Sequence, residues 1–141
     1  MPVPVTGFAH VRLTVTDLAA SRRFYDDVFG FPVAYEVPAD ADEATRESLA
    51  FLFGGLIYAL PDGTLLGLRP VAPAGDRFDE DRTGLDHLSL ALAGPADLEA
   101  AVAVLDDLGV AHEPVKDLGT GLVLELRDPD GIALELFAPK P

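Results

Sequence analysis

The chain contains no cysteine, which excludes disulfides, thiolate metal ligands and a nucleophilic thiol. Basic residues are scarce: ten Lys and Arg, only two of them lysines (Lys116 and Lys140), stand against 24 Asp and Glu, for a formal charge of −14. Binding to nucleic acid or to an anionic membrane surface rests on Lys and Arg neutralising phosphates, so neither partner is expected. No apolar run approaches the roughly 20 residues of a membrane span. The N-terminus also lacks a basic segment followed by a long apolar core. A cytoplasmic protein is expected. What the chain does have is 141 residues, 49% of them hydrophobic, enough for a folded unit with a real core.

The strongest internal signal is a repeat. Gly7-Phe8-Ala9-His10-Val11-Arg12-Leu13-Thr14-Val15 and Gly84-Leu85-Asp86-His87-Leu88-Ser89-Leu90-Ala91-Leu92 both run as Gly, two residues, His, then strict apolar/polar alternation. Two of the three histidines thus occupy the same place in a repeated strand. The order of signals after each strand repeats as well. Thr16-Asp17 caps a helix over 18–29 that closes at Gly30, and the cap region 94–97 precedes a helix over 98–108 that closes at Gly109. Strands are expected at 31–37, 51–60 and 64–69 in the first half, and at 110–116, 121–127 and 132–137 in the second. The turns Pro61-Asp62-Gly63 and Asp128-Pro129-Asp130-Gly131 join the last two strands of each half. Residues 38–48 read as an acidic loop or a loose helical turn, and Gly54-Gly55 signals a bulge or a close backbone approach.

Two βαβββ modules, 5–70 and 84–139 with a linker at 71–83, therefore make one α+β domain over 5–139. A four-stranded sheet carrying a single helix leaves one face open. The two modules are expected to form a curved mixed sheet around a concave cavity, with the helices outside. Strand parity assigns the faces. Val11, Leu13 and Val15 belong under the helix, whereas His10, Arg12, His87, Ser89, Glu135, Phe137 and Arg127 belong on the open face. The Asp-Gly turns align at an offset of 68 positions, which places Gly67 at the counterpart of Glu135 and brings Arg69 to the same face. His112 has no repeat partner and is expected to be exposed.

These motifs resemble the vicinal oxygen chelate superfamily, which includes glyoxalase I, extradiol dioxygenases, methylmalonyl-CoA epimerase, fosfomycin-resistance enzymes and bleomycin-resistance proteins. The resemblance is carried by Gly7-Phe8-Ala9-His10-Val11, Asp17-Leu18 with Phe24-Tyr25 and Phe29-Gly30-Phe31, Gly84-Leu85-Asp86-His87-Leu88, and Asp128-Pro129-Asp130-Gly131 leading to Glu135-Leu136. Metal-dependent members take one ligand from the first and one from the last strand of each module. The resemblance therefore implies His10, His87 and Glu135 as ligands, with Gly67 at the fourth position unable to bind.

Two imidazoles and one carboxylate with open positions suit Fe(II) or Mn(II), with Zn(II) or Ni(II) as alternatives. The pattern matches that of the extradiol dioxygenases. Such an ion would chelate two adjacent oxygens of a small-molecule substrate, with Glu135 as the one candidate for a catalytic base. Arg12, Arg69 and Arg127, helped by Ser89 and Phe137, are expected either to bind a small anionic substrate, since Arg grips carboxylate or phosphate through two bonds, or to neutralise Glu125 and Glu135. The resemblance also implies a homodimer. The competing reading, which the acidic charge favours, is a metal-free protein of the bleomycin-resistance type that binds a cationic antibiotic or another small molecule.

Overall fold

Short capping signals divide the chain into its elements. The Asp17 carboxylate accepts the Ala20 N–H at 3.2 Å and starts α1 (Leu18–Phe29) directly after β1 (His10–Thr14). Gly30, at φ 61°, ends that helix by donating its N–H to the carbonyls of Tyr25 and Asp26, a left-handed cap that Gly adopts without a Cβ penalty. The second half repeats the device, with Pro95 in the first turn of α3 (Pro95–Leu108) and Gly109 at φ 68° closing it.

The computed structural model describes all 141 residues, in two compact units, Met1–Gly75 and Asp76–Pro141. The first unit orders its strands β1-β4-β3-β2, with β2 at Val33–Glu36, β3 at Leu56–Ala59 and β4 at Leu65–Arg69. The second orders them β5-β8-β7-β6, with β5 at Leu88–Ala91, β6 at Lys116–Asp117, β7 at Gly121–Arg127 and β8 at Ala133–Pro139. In both sheets the first strand runs parallel beside the last, and the remaining pairs are antiparallel. The α+β class and the repeated βαβββ order match the expectation from sequence.

One face of each sheet is buried under its own helix, as the alternation requires. In the first unit Leu13, Val15, Leu56, Tyr58, Leu66 and Leu68 are buried together with Tyr25 of α1. The Tyr58 hydroxyl donates to Asp26 Oδ1 at 2.8 Å and ties β3 to α1; burial and that bond push the phenol pKa upward. In the second unit Leu124, Leu126, Leu134 and Leu136 pack with Leu98 and Leu105 of α3. Each such leucine contributes roughly 1.5–3 kcal/mol relative to exposure.

Two segments depart from the sequence expectation. The strand expected over 51–60 is shortened, because residues 43–52 are helical: α2 spans Glu43–Ser48 and a 3-10 turn spans Ala50–Leu52. Phe53 at φ 51° and Gly54 at φ 80° then reverse the chain into β3. The strand expected over 110–116 is reduced to β6 and an isolated bridge between His112 and Leu126. Pro114 supplies no N–H to a ladder there.

The close approach signalled by Gly54-Gly55 is real. A Cβ on Gly55 would lie 1.8 Å from the Leu68 carbonyl oxygen, a contact that only backbone movement relieves. Gly55→Ala is expected to destabilise the protein by about 3 kcal/mol. Urea unfolding should show it as a lowered midpoint with little change in slope, whereas an unchanged midpoint would contradict the packing described.

Candidate metal centre

The parallel pairing of β5 with β8 sets Ser89 directly opposite Glu135. The Ser89 hydroxyl donates to Glu135 Oε1 at 2.7 Å. The other carboxylate oxygen, Oε2, lies 3.8 Å from Nε2 of His87, which stands immediately before β5. On the far side of the ring, Nδ1 lies 2.5 Å from Asp86 Oδ1. A carboxylate can only accept, so Nδ1 carries the proton, and in the neutral ring the lone pair is on Nε2, toward Glu135.

This is the chemistry a divalent ion requires: an oriented imidazole nitrogen, a carboxylate oxygen beside it, and an acceptor behind the imidazole that fixes its tautomer. The Glu135 side chain is 16% exposed and that of His87 is 45% exposed, so one donor is sheltered and the other is open to solvent. The His87 pKa is raised, first by the bond to Asp86 and further by the charges of Glu135 and Glu125.

Around this pair the second unit forms a cavity of about 520 Å³, whose charged lining is mostly acidic: Glu80, Asp86, Glu113, Glu125 and Glu135. Glu125 is the direct cross-strand neighbour of Glu135, and like charges so placed repel unless a cation stands near them. Lys116 meets Glu125 at 3.3 Å.

Arg127 lines the cavity but does not stand ready for a substrate anion. Its guanidinium donates to both oxygens of Glu80, at 3.0 and 2.5 Å, and to the Gly131 carbonyl at 3.0 Å. His112 also departs from expectation. Its side chain is largely covered, with Nε2 3.2 Å from Asp106 Oδ1 and Nδ1 2.9 Å from the Glu113 carbonyl, and it lines the same cavity as His87. Phe137 leans over Gly121, where an added Cβ would fall 2.6 Å from its ring, and it does not line the cavity.

The remaining expected residues lie in the first unit. His10 is exposed on β1 opposite Leu65. Arg12 lies opposite Gly67, so the counterpart of the Ser89–Glu135 pair is Arg12–Gly67, as the turn offset implied. The Arg69 guanidinium stacks 4.2 Å from the centre of the Phe53 ring, and that of Arg12 lies 5.9 Å from it. Of the three implied ligands, the structure brings His87 and Glu135 together, and within neither unit do three His, Asp or Glu side chains gather as a metal cluster.

Asp86 was legible beside His87 in the motif but gained a role only from the observed contact. Glu80 carried no signal, because it lies in the irregular segment before the second module and meets Arg127 across 47 positions. That pair holds the Glu80 carboxyl down to about 2, chiefly through its bonds to Arg127. A depressed carboxyl contributes stability above its unfolded value of 4.5 and loses it as pH falls toward 2. Carboxyl-detected NMR is expected to follow Glu80 titrating near the lower value, and in Arg127→Gln near the ordinary one. A Glu80 midpoint that does not move in the variant would contradict the pairing.

Residues 7–136 match the Glyoxalase/Bleomycin resistance protein/Dioxygenase superfamily. The chain is 32% identical over 130 residues to the uncharacterized protein YaeR of Escherichia coli K12, covering 91% of this chain and 92% of that protein. It is 30% identical over 138 residues to catechol-2,3-dioxygenase of Bacillus subtilis 168, covering 96% of this chain but only 42% of the dioxygenase. The crystal structure of a glyoxylase/bleomycin resistance protein/dioxygenase domain from Frankia sp. EAN1pec superposes with a TM-score of 0.77 at 33% identity, over 96% of this chain and 98% of that one. On the match along nearly its whole length and on its two βαβββ units, the chain belongs to the glyoxalase/bleomycin resistance protein/dioxygenase superfamily.

Proposed function

We propose that the protein is a divalent-metal-dependent enzyme acting on a small organic anion, with His10, His87 and Glu135 as the metal ligands. The observation that carries this reading is the Asp86–His87–Glu135–Ser89 arrangement, in which Nε2 of His87 and Oε2 of Glu135 stand 3.8 Å apart while Nδ1 and Oε1 are engaged by Asp86 and Ser89. Relatives named as dioxygenases in the same superfamily favour an oxygen-dependent reaction. A bound Fe(II) or Mn(II), or failing these Zn(II) or Ni(II), would supply Lewis acidity toward two adjacent substrate oxygens.

The chain's own residues have separate tasks. Asp86 holds the His87 ring in one tautomer and one orientation. Ser89 occupies Oε1 of Glu135, so that Oε2 is the oxygen left to bind an ion; Glu135 would be the candidate base only on leaving the metal during turnover. Gly67 brings no donor to the fourth position, and the Arg12 stem lies against it instead. Arg12 and Arg69 would hold the substrate anion. Arg127 is assigned to structure through Glu80 and Gly131. His10 would be supplied by the first unit of the same chain or of a second copy in a homodimer. No helix is long and apolar enough to cross a membrane.

The acidic cavity favours a second reading, a metal-free protein of the bleomycin-resistance type that binds a cationic guest. Titration of the stripped full chain with Mn(II) and Fe(II) under anaerobic conditions separates the two. About one equivalent is expected to bind, with His87→Ala, Glu135→Ala and His10→Ala each weakening it by roughly a hundredfold and Asp86→Asn by about tenfold. Proton and metal compete for Nε2 of His87, so affinity should fall as pH drops through the raised imidazole value. Wild-type protein that takes up none of Fe(II), Mn(II), Zn(II) or Ni(II) would sink the enzyme reading, and a cationic guest bound equally with and without chelator would establish the other. Oxygen uptake with a panel of catechols tests the dioxygenase assignment separately.

A further inference from the structure

Arg12 stands where the second unit has Ser89, and its neighbour on the last strand is Gly67 rather than a glutamate. The arginine stem lies on that glycine: a Cβ at position 67 would fall 2.9 Å from Arg12 Cγ and 3.5 Å from Ile57 Cγ1. No carboxylate fills the gap. Both Nε and Nη2 of Arg12 are buried without a hydrogen-bond partner, although buried donors on a charged group are costly to leave unmade. These two nitrogens form one edge of the guanidinium. Their N–H bonds run side by side, which is the geometry that grips both oxygens of a carboxylate.

The surroundings point the same way. None of the ion pairs of the structure involves Arg12 or Arg69. The two cations instead share the Phe53 ring. Burial and, after it, repulsion from Arg69 lower the Arg12 pKa, as expected where positive charge lacks its counterion. Phe53 has the one non-glycine backbone at positive φ, 51°, and its side of the chain is open, with 55% exposure. A bulky residue in that region is strained, and Gly54 follows it at φ 80°. The ring thus stands beside both guanidiniums at a half-exposed position.

We infer that the first unit carries a carboxylate-binding subsite, in which the Nε/Nη2 edge of Arg12 grips the carboxylate of a small organic acid, Arg69 adds the second positive charge, and Phe53 swings aside to admit it. The ligand thereby supplies the carboxylate that Gly67 lacks and that the second unit builds in as Glu135. The inference rests on the reading above only in taking the occupant to be the substrate anion, because binding at this edge needs no metal.

The test is titration of the chelator-stripped full chain with benzoate and with the neutral isostere benzamide, followed by NMR with the arginine Nε–H resonances resolved. Benzoate is expected to saturate and to shift the Arg12 Nε–H, and benzamide is expected to bind at least about tenfold more weakly. Arg12→Lys keeps the charge but removes the two-pronged edge, and should weaken benzoate by roughly tenfold or more. Arg23→Gln, at an exposed position on α1, should leave it unchanged, with thermal melts checking that each variant folds. Phe53→Ala should raise the association rate, and an unchanged rate would overturn the covering role. Equal binding of benzoate and benzamide, no saturable benzoate binding, or full affinity in Arg12→Lys would overturn the subsite. Stripping the ions keeps this outcome separate from metal uptake at His87 and Glu135, so that either can fail without the other.

Discussion

The parallel pairing of first strand with last strand is the constraint on which the rest of the structure depends. Parallel neighbours cannot be joined by a tight turn, so in each unit the chain must pass through a helix and two further strands before it returns beside its start. That return fixes the register. In the second unit it lays Glu135 against Ser89 and within reach of His87. In the first it lays Gly67 against Arg12. One topology, used twice, therefore yields two different chemical surfaces, and the difference is decided by which residue occupies the last strand.

Charge is divided along the same line. The first unit has nine acidic against five basic residues, and the second has fifteen against five. The excess in the second unit is not merely a solvated surface, since Asp86, Glu125 and Glu135 crowd around His87, and their effect is visible in its raised pKa. Carboxylates held this close by a ladder keep their repulsion unless a cation shares the space. The first unit, although also net acidic, holds two guanidiniums over one aromatic ring, neither of them in an ion pair.

Much of this was legible because it is local. The caps at Asp17, Gly30 and Gly109, the Asp-Gly turns, the alternation that buries Leu13 and Val15, and the tight approach at Gly55 all follow from single residues and their immediate neighbours. The offset between the turns was enough to align Gly67 with Glu135, a match the register bears out. The helical turn offered as one reading of 38–48 is α2, but the 3-10 turn at Ala50–Leu52 and the reversal at Phe53 and Gly54 were not foreseen, nor was the interruption of the strand over 110–116 at Pro114. The contacts of Arg127 with Glu80 and of His112 with Asp106 escaped because those partners meet them only after folding.

The central proposal is that His87 and Glu135 bind a divalent ion, with a His10 as the third ligand. The most direct measurement is anomalous diffraction from crystals of the full chain grown with Mn(II), collected near the manganese edge. The account predicts one strong peak in coordination contact with His87 Nε2, a Glu135 oxygen and the ring of a His10, with no protein atom from Gly67. A peak bound by His87 and Glu135 without His10, or no peak at that pair, would contradict it.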